Sequence, residues 1–436
     1  MSFEENITVL GTLIHHKKGF AFKSKDYLEN GTPVIRVSNF SGDTISHNDV
    51  KFVSNEIART NEDVRLFEHD IVIATVGSWP NNPASVVGRT ISVPRWANNA
   101  LMNQNSVIIR ARSNSKVDQK FIYYQLKTEK FSHHLISKAQ GSANQASITL
   151  DAIFSYEINW PDSGLRQAIV EVLEALDDRI ALLRETNTTL EAIAQALFKS
   201  WFVDFDPVRA KQQGRDPEGM DSATAALFPD SFEESELGLV PNGWRVGIVG
   251  DMAAIKGGKQ LERDAFDENG ANPVFGGAGV MGRTNLSNAT GFVITVGRVG
   301  AYCGQFFWYI GDAWINNNSS HIQPERVEQS VWLYQWFKST NIDHIKKGAA
   351  QPFVSNGDVS NLKLVAPTDS VVDGFVEVVN LIYERMIDLQ QQTQTLTTLR
   401  DTLLPRLISG QLRLPAEMSG YAALTRPTQG HEETDT

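Results

Sequence analysis

Two stretches of the chain place apolar residues at alternating intervals of four and three. The first runs Ile169, Leu173, Leu176, Ile180, Leu183, Leu190, Ala194, Leu197 and Trp201, with Asn187 taking one position of the seam. The second runs Phe375, Val379, Ile382, Met386, Leu389, Leu396, Leu403 and Leu407, with Thr393 and Arg400 on the seam. A heptad held over this length predicts a coiled coil rather than the apolar stripe of a short surface helix. The two stretches superpose without a gap: Arg179 falls on Arg385, Leu183 on Leu389, Leu190 on Leu396 and Leu197 on Leu403. About 34 residues at 1.5 Å each give a rod of roughly 50 Å. Two matched seams in one chain can bury each other, and antiparallel pairing is expected, with Asn187 at or near Thr393 fixing register. The alternative is that each helix lies on its own domain.

Before each helix the pattern changes to short alternating stretches bounded by turn residues: TPVIRVSNF, DIVIATVGS, NSVIIRAR, GFVITVGR and NLKLVAP. These read as strands. FIYYQLKTEKFSHHLIS and VWLYQWFKST read as helices among them. GSANQASITLDAIFSYEINWP at 141–161 and GAAQPFVSNGDVSNLKLVAP at 348–367 repeat a glycine, a glutamine (Gln145, Gln351), an aspartate (Asp151, Asp358) and a closing proline. TVGS at Thr75–Ser78 also resembles TVGR at Thr295–Arg298. The expected fold is α+β: two mixed, strand-rich domains, 1–163 and 241–368, joined by two long antiparallel coiled-coil helices, 164–203 and 369–414, with an internal pseudo-twofold repeat. Residues 204–240 read as an acidic connector punctuated by Pro and Gly, and 415–436 as a disordered tail.

The net charge of −11 argues at first against a nucleic-acid partner. It is concentrated, however: residues 204–236 hold nine acids against three bases, and 415–436 four against one. The rest is near neutral, which permits a local basic face. No apolar run approaches the roughly 18 residues of a membrane helix, and MSFEENITVL lacks the apolar core of a secretory signal. Cys303 is the single cysteine, so no disulfide framework exists and a reducing cytoplasm is expected.

Catalytic chemistry finds no support. Gly277-Ala-Gly279-Val-Met-Gly282 is a formal G-x-G-x-x-G, but RTNLSNAT follows it where a helix would have to open, so a Gly-rich surface loop is the better reading. His15-His16 and His133-His134 are adjacent pairs, not the spacing that puts two metal ligands on one helical face. No serine sits in a nucleophile elbow. The Asn/Asp-Pro-Pro-aromatic tetrapeptide of amino-methyltransferases is absent, with Asn272-Pro-Val-Phe275 the nearest approach.

Polar and basic clusters remain. In the first domain they are Lys17, Lys18, Arg36, Ser38, Asn39, then Ser78 and Trp79 with Pro80, Asn81 and Asn82, then Asn103, Gln104, Asn105, then Ser142, Asn144 and Gln145. In the second they are Lys256, Lys259, Gln260, Arg298, Asn316, Asn317, Asn318, Lys346, Lys347 and Gln351. Asn, Gln and Arg pair bidentately with base edges, while Lys and Ser suit phosphates. The plain alternative is solvated turns, which use the same residues.

Taken together, the chain resembles the specificity subunits of type I restriction-modification systems. The resemblance is carried by the two Gly-Gln-Asp stretches, by LDDRIALLRETNTTLEAIAQALFKSWFVDFDPV, by LLPRLISGQL at Leu403–Leu412, and by FPDSFEESELGLVPNGW at 228–244. It implies two target recognition domains, a bipartite double-stranded DNA site with an unread spacer, and a role in phage defence. It implies assembly with two modification subunits, which hold S-adenosylmethionine, and optionally with restriction/translocase subunits. The chain itself would be non-catalytic, bind no cofactor or metal, and bind DNA weakly alone, given its acidity. Phe198, Trp201 and Phe202 are expected to support docking of a modification subunit, unless they cap the chain's own domains. Two other readings stand: a self-contained DNA methyltransferase or restriction polypeptide, and a coiled-coil adaptor with no DNA role.

Overall fold

A computed structural model describes residues 6–47, 49–79, 87–142, 145–300, 302–348 and 351–414. The expected tail, and Pro80, Asn81, Asn82 and Asn144 of the polar clusters, lie outside the described residues. The chain divides into two compact units, residues 1–182 with 393–436, and residues 183–392. The expected domain list gave each long helix to itself. The structure instead shares each helix between the units, because each half-helix is buried in the core of one of them.

In the first unit, the β-branched runs Ile71–Ala74 and Ser106–Ala111 form the middle of a four-stranded antiparallel sheet, flanked by Ile14–Lys18 and Thr90–Ser92. Their apolar side chains are excluded from water on both faces, as expected of strands with no polar alternation. A second small sheet pairs Thr32–Ile35 in parallel with Leu101–Met102 and antiparallel with Lys51–Val53. Ile7–Val9 and Glu157–Asn159 close the domain as an antiparallel pair.

The second unit repeats these three sheets. Ala253–Gly257, Ser319–Pro324, Phe292–Gly297 and Phe306–Ile310 form the four-stranded sheet in the same order. Asn272–Gly276 pairs in parallel with Trp314–Ile315 and antiparallel with Gly279–Thr284. Arg245–Ile248 and Lys363–Ala366 close it. The glycine motif at 277–282 is thus the turn and return strand of a hairpin rather than a surface loop.

Two details of the sequence reading are corrected. The helix expected over 121–137 is two helices, Lys116–Leu126 and Glu129–Ser137, because Thr128 caps the second by accepting from the Phe131 amide. The TVGS and TVGR segments are three residues out of register. Ala74 pairs with Ser106 and Gly297 with Ser319, so the counterpart of Thr75 is Arg298, not Thr295.

The long helices are Ser163–Phe202 and Asp369–Ile408, 40 residues each. At 1.5 Å per residue each is about 60 Å long. In the first unit Ile169, Val170 and Leu173, near the start of one helix, share a core with Leu404, Leu407 and Ile408, at the end of the other. In the second unit Ala194, Phe198, Trp201 and Phe202 share a core with Val371, Val372, Phe375 and Val379. The pairing is therefore antiparallel. Ile180, Leu183, Met386 and Leu389 are buried as the seam requires, and the Asn187 amide donates to the Met386 carbonyl at 3.2 Å. Leu176, Leu190, Leu197, Ile382, Leu396 and Leu403 are only half-buried. Burial moves one position along, to Phe198, Tyr383 and Leu404, because each half-helix packs on its own strand-rich domain as well as on its partner.

Phe198, Trp201 and Phe202 are 1%, 6% and 8% exposed. Their rings pack on Phe375, Trp332, Phe228 and Trp244. They are core residues, so the expected docking role falls. The connector is structured too. It contains the helices Asp206–Gln212 and Ser222–Ala226 and the hairpin Phe232–Ser235 to Gly238–Pro241. Val208 and Phe228 anchor it in the core.

Candidate nucleic-acid interface

In each unit, most of the polar segments singled out in the sequence converge on one junction. In the first, the edge strand Ile14–Lys18 runs into Gly19, whose amide donates to the Ser106 carbonyl at 3.0 Å. The next amide, of Phe20, donates to Met102 at 3.0 Å. Only glycine permits this approach: a Cβ on Gly19 would stand 1.8 Å from the Asn103 carbonyl oxygen. The turn Asn103-Gln104-Asn105 is then tied to the strand exit, since Thr75 donates to the Asn105 carbonyl at 2.8 Å. The hairpin of Gln140–Ser142 and Gln145–Ser147 joins through Val76–Gly77.

The second unit builds the same object. Gly258 donates to Ser319 and Lys259 to Ile315, both at 2.9 Å, and a Cβ on Gly258 would stand 2.1 Å from the Asn316 carbonyl oxygen. Arg298 donates to the Asn318 carbonyl at 2.9 Å, and Phe353 bridges both Lys347 and Val299.

Within these junctions Lys17, Lys18, Gln104, Asn105, Gln145, Lys256, Lys259, Gln260, Asn317, Lys346, Lys347 and Gln351 are exposed, as is Ser38 nearby. Arg36, Ser78, Trp79 and Arg298 are half-buried. The Trp79 indole N–H donates to the Ser142 carbonyl at 2.7 Å. Several cations already have carboxylate partners. Lys17 is paired with Asp63, Arg36 with Asp49 at 2.7 Å, Lys346 with Asp343 at 2.7 Å and Lys347 with Asp358 at 2.7 Å. The hydrogen bonds from Lys347 and Ser355 hold the Asp358 carboxyl below its usual range.

Three of the expected base readers are corrected. Asn39, Asn103 and Asn316 are 1%, 8% and 7% exposed. Their side-chain oxygens accept from backbone amides: Arg36 for Asn39, Gln104 for Asn103, and Leu261 and Asn317 for Asn316. They shape the turns that present their neighbours. Asparagine serves both roles, and only burial separates them.

The sequence reading missed three exposed rings at these edges: Phe20 at 46%, Tyr302 at 53% and Phe353 at 41%. The signal was available, as Tyr302 and Phe353 interrupt polar or Gly-rich segments and Phe20 follows Lys17-Lys18-Gly19. His321, paired in register with Lys256, was missed as well. Burial pushes its imidazole down to about 4, and the Lys256 charge adds to the effect, so it is neutral near pH 7. Amide, guanidinium and ammonium groups around exposed rings are equipped to bind nucleic acid.

The sequence pattern of the type I restriction modification DNA specificity domain matches residues 6–192 and 241–395, once over each half of the repeat. The chain belongs to that family. The HindI specificity subunit of Haemophilus influenzae is 25% identical over 385 residues, spanning 74% of this chain and 84% of the relative. The MjaIX specificity subunit of Methanocaldococcus jannaschii is 23% identical over 338 residues, 68% of this chain and 70% of the relative. The crystal structure of the type I system S subunit from M. genitalium has a similar fold, with a TM-score of 0.50 at 16% identity, covering 95% of this chain and 99% of that one. In the family's terms, the two strand-rich domains are target recognition domains. None of the helices among the described residues is long and apolar enough to cross a membrane.

Proposed function

We propose that this chain is the DNA-specificity subunit of a type I restriction-modification complex and recognises a bipartite site, one half by each target recognition domain. The observation that supports this best is the duplicated junction. Two domains of one topology each present exposed Lys, Gln and Asn side chains around a glycine-tight turn, with different side chains in the two copies. Equal frameworks with unequal side chains suit two half-sites of unequal sequence. The chain contributes no catalytic group. Methyl transfer belongs to two modification subunits that bring S-adenosylmethionine, and restriction/translocase subunits join the assembly where cleavage occurs. The complex works in the cytoplasm. Many of the exposed cations are neutralised by the chain's own carboxylates, so the partners supply much of the phosphate contact.

Co-expression of the chain with its modification subunits, followed by sequencing of methylated sites, tests this. A split motif that appears only when the chain is present supports the reading. Methylation by the purified chain alone would favour the self-contained enzyme. Normal methylation without the chain, with no DNA shift by the complex, would favour the adaptor.

A further inference from the structure

The two junctions differ by an exchange of side chains across one gap. Lys18 pairs with Val107 and Gly257 with Ser320, one residue after the equivalent serines Ser106 and Ser319, so Lys18 and Gly257 hold the same place. Thr75 and Arg298 also hold the same place. Each donates to the last carbonyl of the asparagine turn, and each accepts from the returning chain, Ile148 in one unit and Val354 in the other, at 2.8 and 2.9 Å. The Arg298 guanidinium lies over Gly257, with Nη1 3.5 Å from where a Cβ would stand. A lysine at 257 would contest that space. The first unit therefore combines Lys18 with the small Thr75, and the second combines Gly257 with Arg298. At these two paired places each junction keeps one long cation, delivered from opposite strands.

Arg298 also differs from Lys346 and Lys347. Its side chain is half-buried, and its buried Nε has no hydrogen-bond partner. Among the described residues no carboxylate pairs with it, whereas the exposed Lys346 and Lys347 both have one. A half-buried guanidinium left without an acceptor is a planar fork with donors to give. Phosphate needs only a point charge, which the exposed lysines at the rim supply. Two phosphate oxygens also fit such a fork, but among base edges the acceptor pair that fits it is O6 and N7 of guanine.

We propose that Arg298 is a specificity-determining residue of the second target recognition domain, reading a guanine in its half-site, and that in the first the corresponding cation, Lys18, comes from the opposite strand, at the place of Gly257. The inference rests on the specificity reading above. The test uses the full complex of the chain with its modification subunits and sequences methylated sites for the parent, R298T, R298K and G257K. Threonine is the residue of the first unit at this place, lysine keeps the charge without the fork, and G257K crowds the guanidinium. All three variants are expected to lose about five- to hundred-fold of the discrimination at one guanine position. The other half-site and the spacer stay unchanged. An R298K motif identical to the parent's overturns the proposal, and it can be read even if R298T fails to fold. Equal weakening on every site, with the motif kept and R298K restoring strength, makes Arg298 a phosphate holder and overturns it too. A parent chain that directs no split motif overturns the specificity reading itself, and is thereby distinguished.

Discussion

Arg400 of the second long helix donates to Asp177 of the first at 2.8 Å, and its side chain is only 7% exposed. The same guanidinium reaches Asp43, in a loop of the first target recognition domain, at 2.9 Å. Tyr124 donates to the other oxygen of Asp177 at 2.9 Å, and Lys127 pairs with Asp43. Burial pushes the Asp43 carboxyl up, but the Lys127 and Arg400 charges hold it down at about 2. At the matching places of the repeat stand Ala194 and Tyr383, both buried, and the Tyr383 hydroxyl accepts from Gln335 at 2.9 Å. Both halves of the helix pair have an apolar core, but at this place the first adds a charge cluster where the second has apolar and aromatic packing.

Arg400→Ala strands the half-buried Asp177 carboxylate without its cation, while Asp43 keeps Lys127, and should cost about 2 kcal/mol in chemical denaturation. Arg400→Met combined with Asp177→Leu removes the stranded charge and should recover a large part of that loss. A cost below about 0.5 kcal/mol for Arg400→Ala would mean that the cluster behaves as an exposed ion pair.

The second unit should lose stability on mild acidification. His321 has a folded value of about 4 against the usual 6.5, so the unfolded chain takes up its proton first. The stabilisation is complete above about pH 6.5 and is lost as pH falls towards 4. His321→Gln should flatten this slope relative to the parent in melting curves recorded from pH 7 to 4. Parallel curves would contradict the assignment.

Leu183→Ala or Leu389→Ala should cost about 2–5 kcal/mol, since each side chain is 2% exposed on the seam. Trp201→Asp should abolish cooperative unfolding rather than weaken a partner contact alone, because the indole lies in an aromatic core. A well-folded Trp201→Asp chain that has lost only its partners would contradict that placement.

The helices were legible because their apolar period repeats over 40 residues, and Leu183 and Leu389 announce each other without a gap. The strands were legible from β-branched runs such as Ile71–Ala74. The charge lock was not, because Arg400 and Asp43 are 357 residues apart and nothing local marks either as the other's partner. Phe198 and Trp201 looked like surplus apolar surface because the globule that covers them lies far along the chain. Asn103 and Gln104 looked alike as candidates, but the fold buries one and exposes the other. The Lys18 and Gly257 exchange was invisible because the TVG match suggested the wrong register.

The central claim is that each target recognition domain reads one half-site, and a domain exchange measures it most directly. Residues 1–163 are replaced by another such domain, and the methylated sites of the assembled complex are sequenced. One half of the motif should change, while the other half and the spacer stay as they were, since the second domain and both helices are untouched. A change in both halves, or in the spacer alone, would contradict the account.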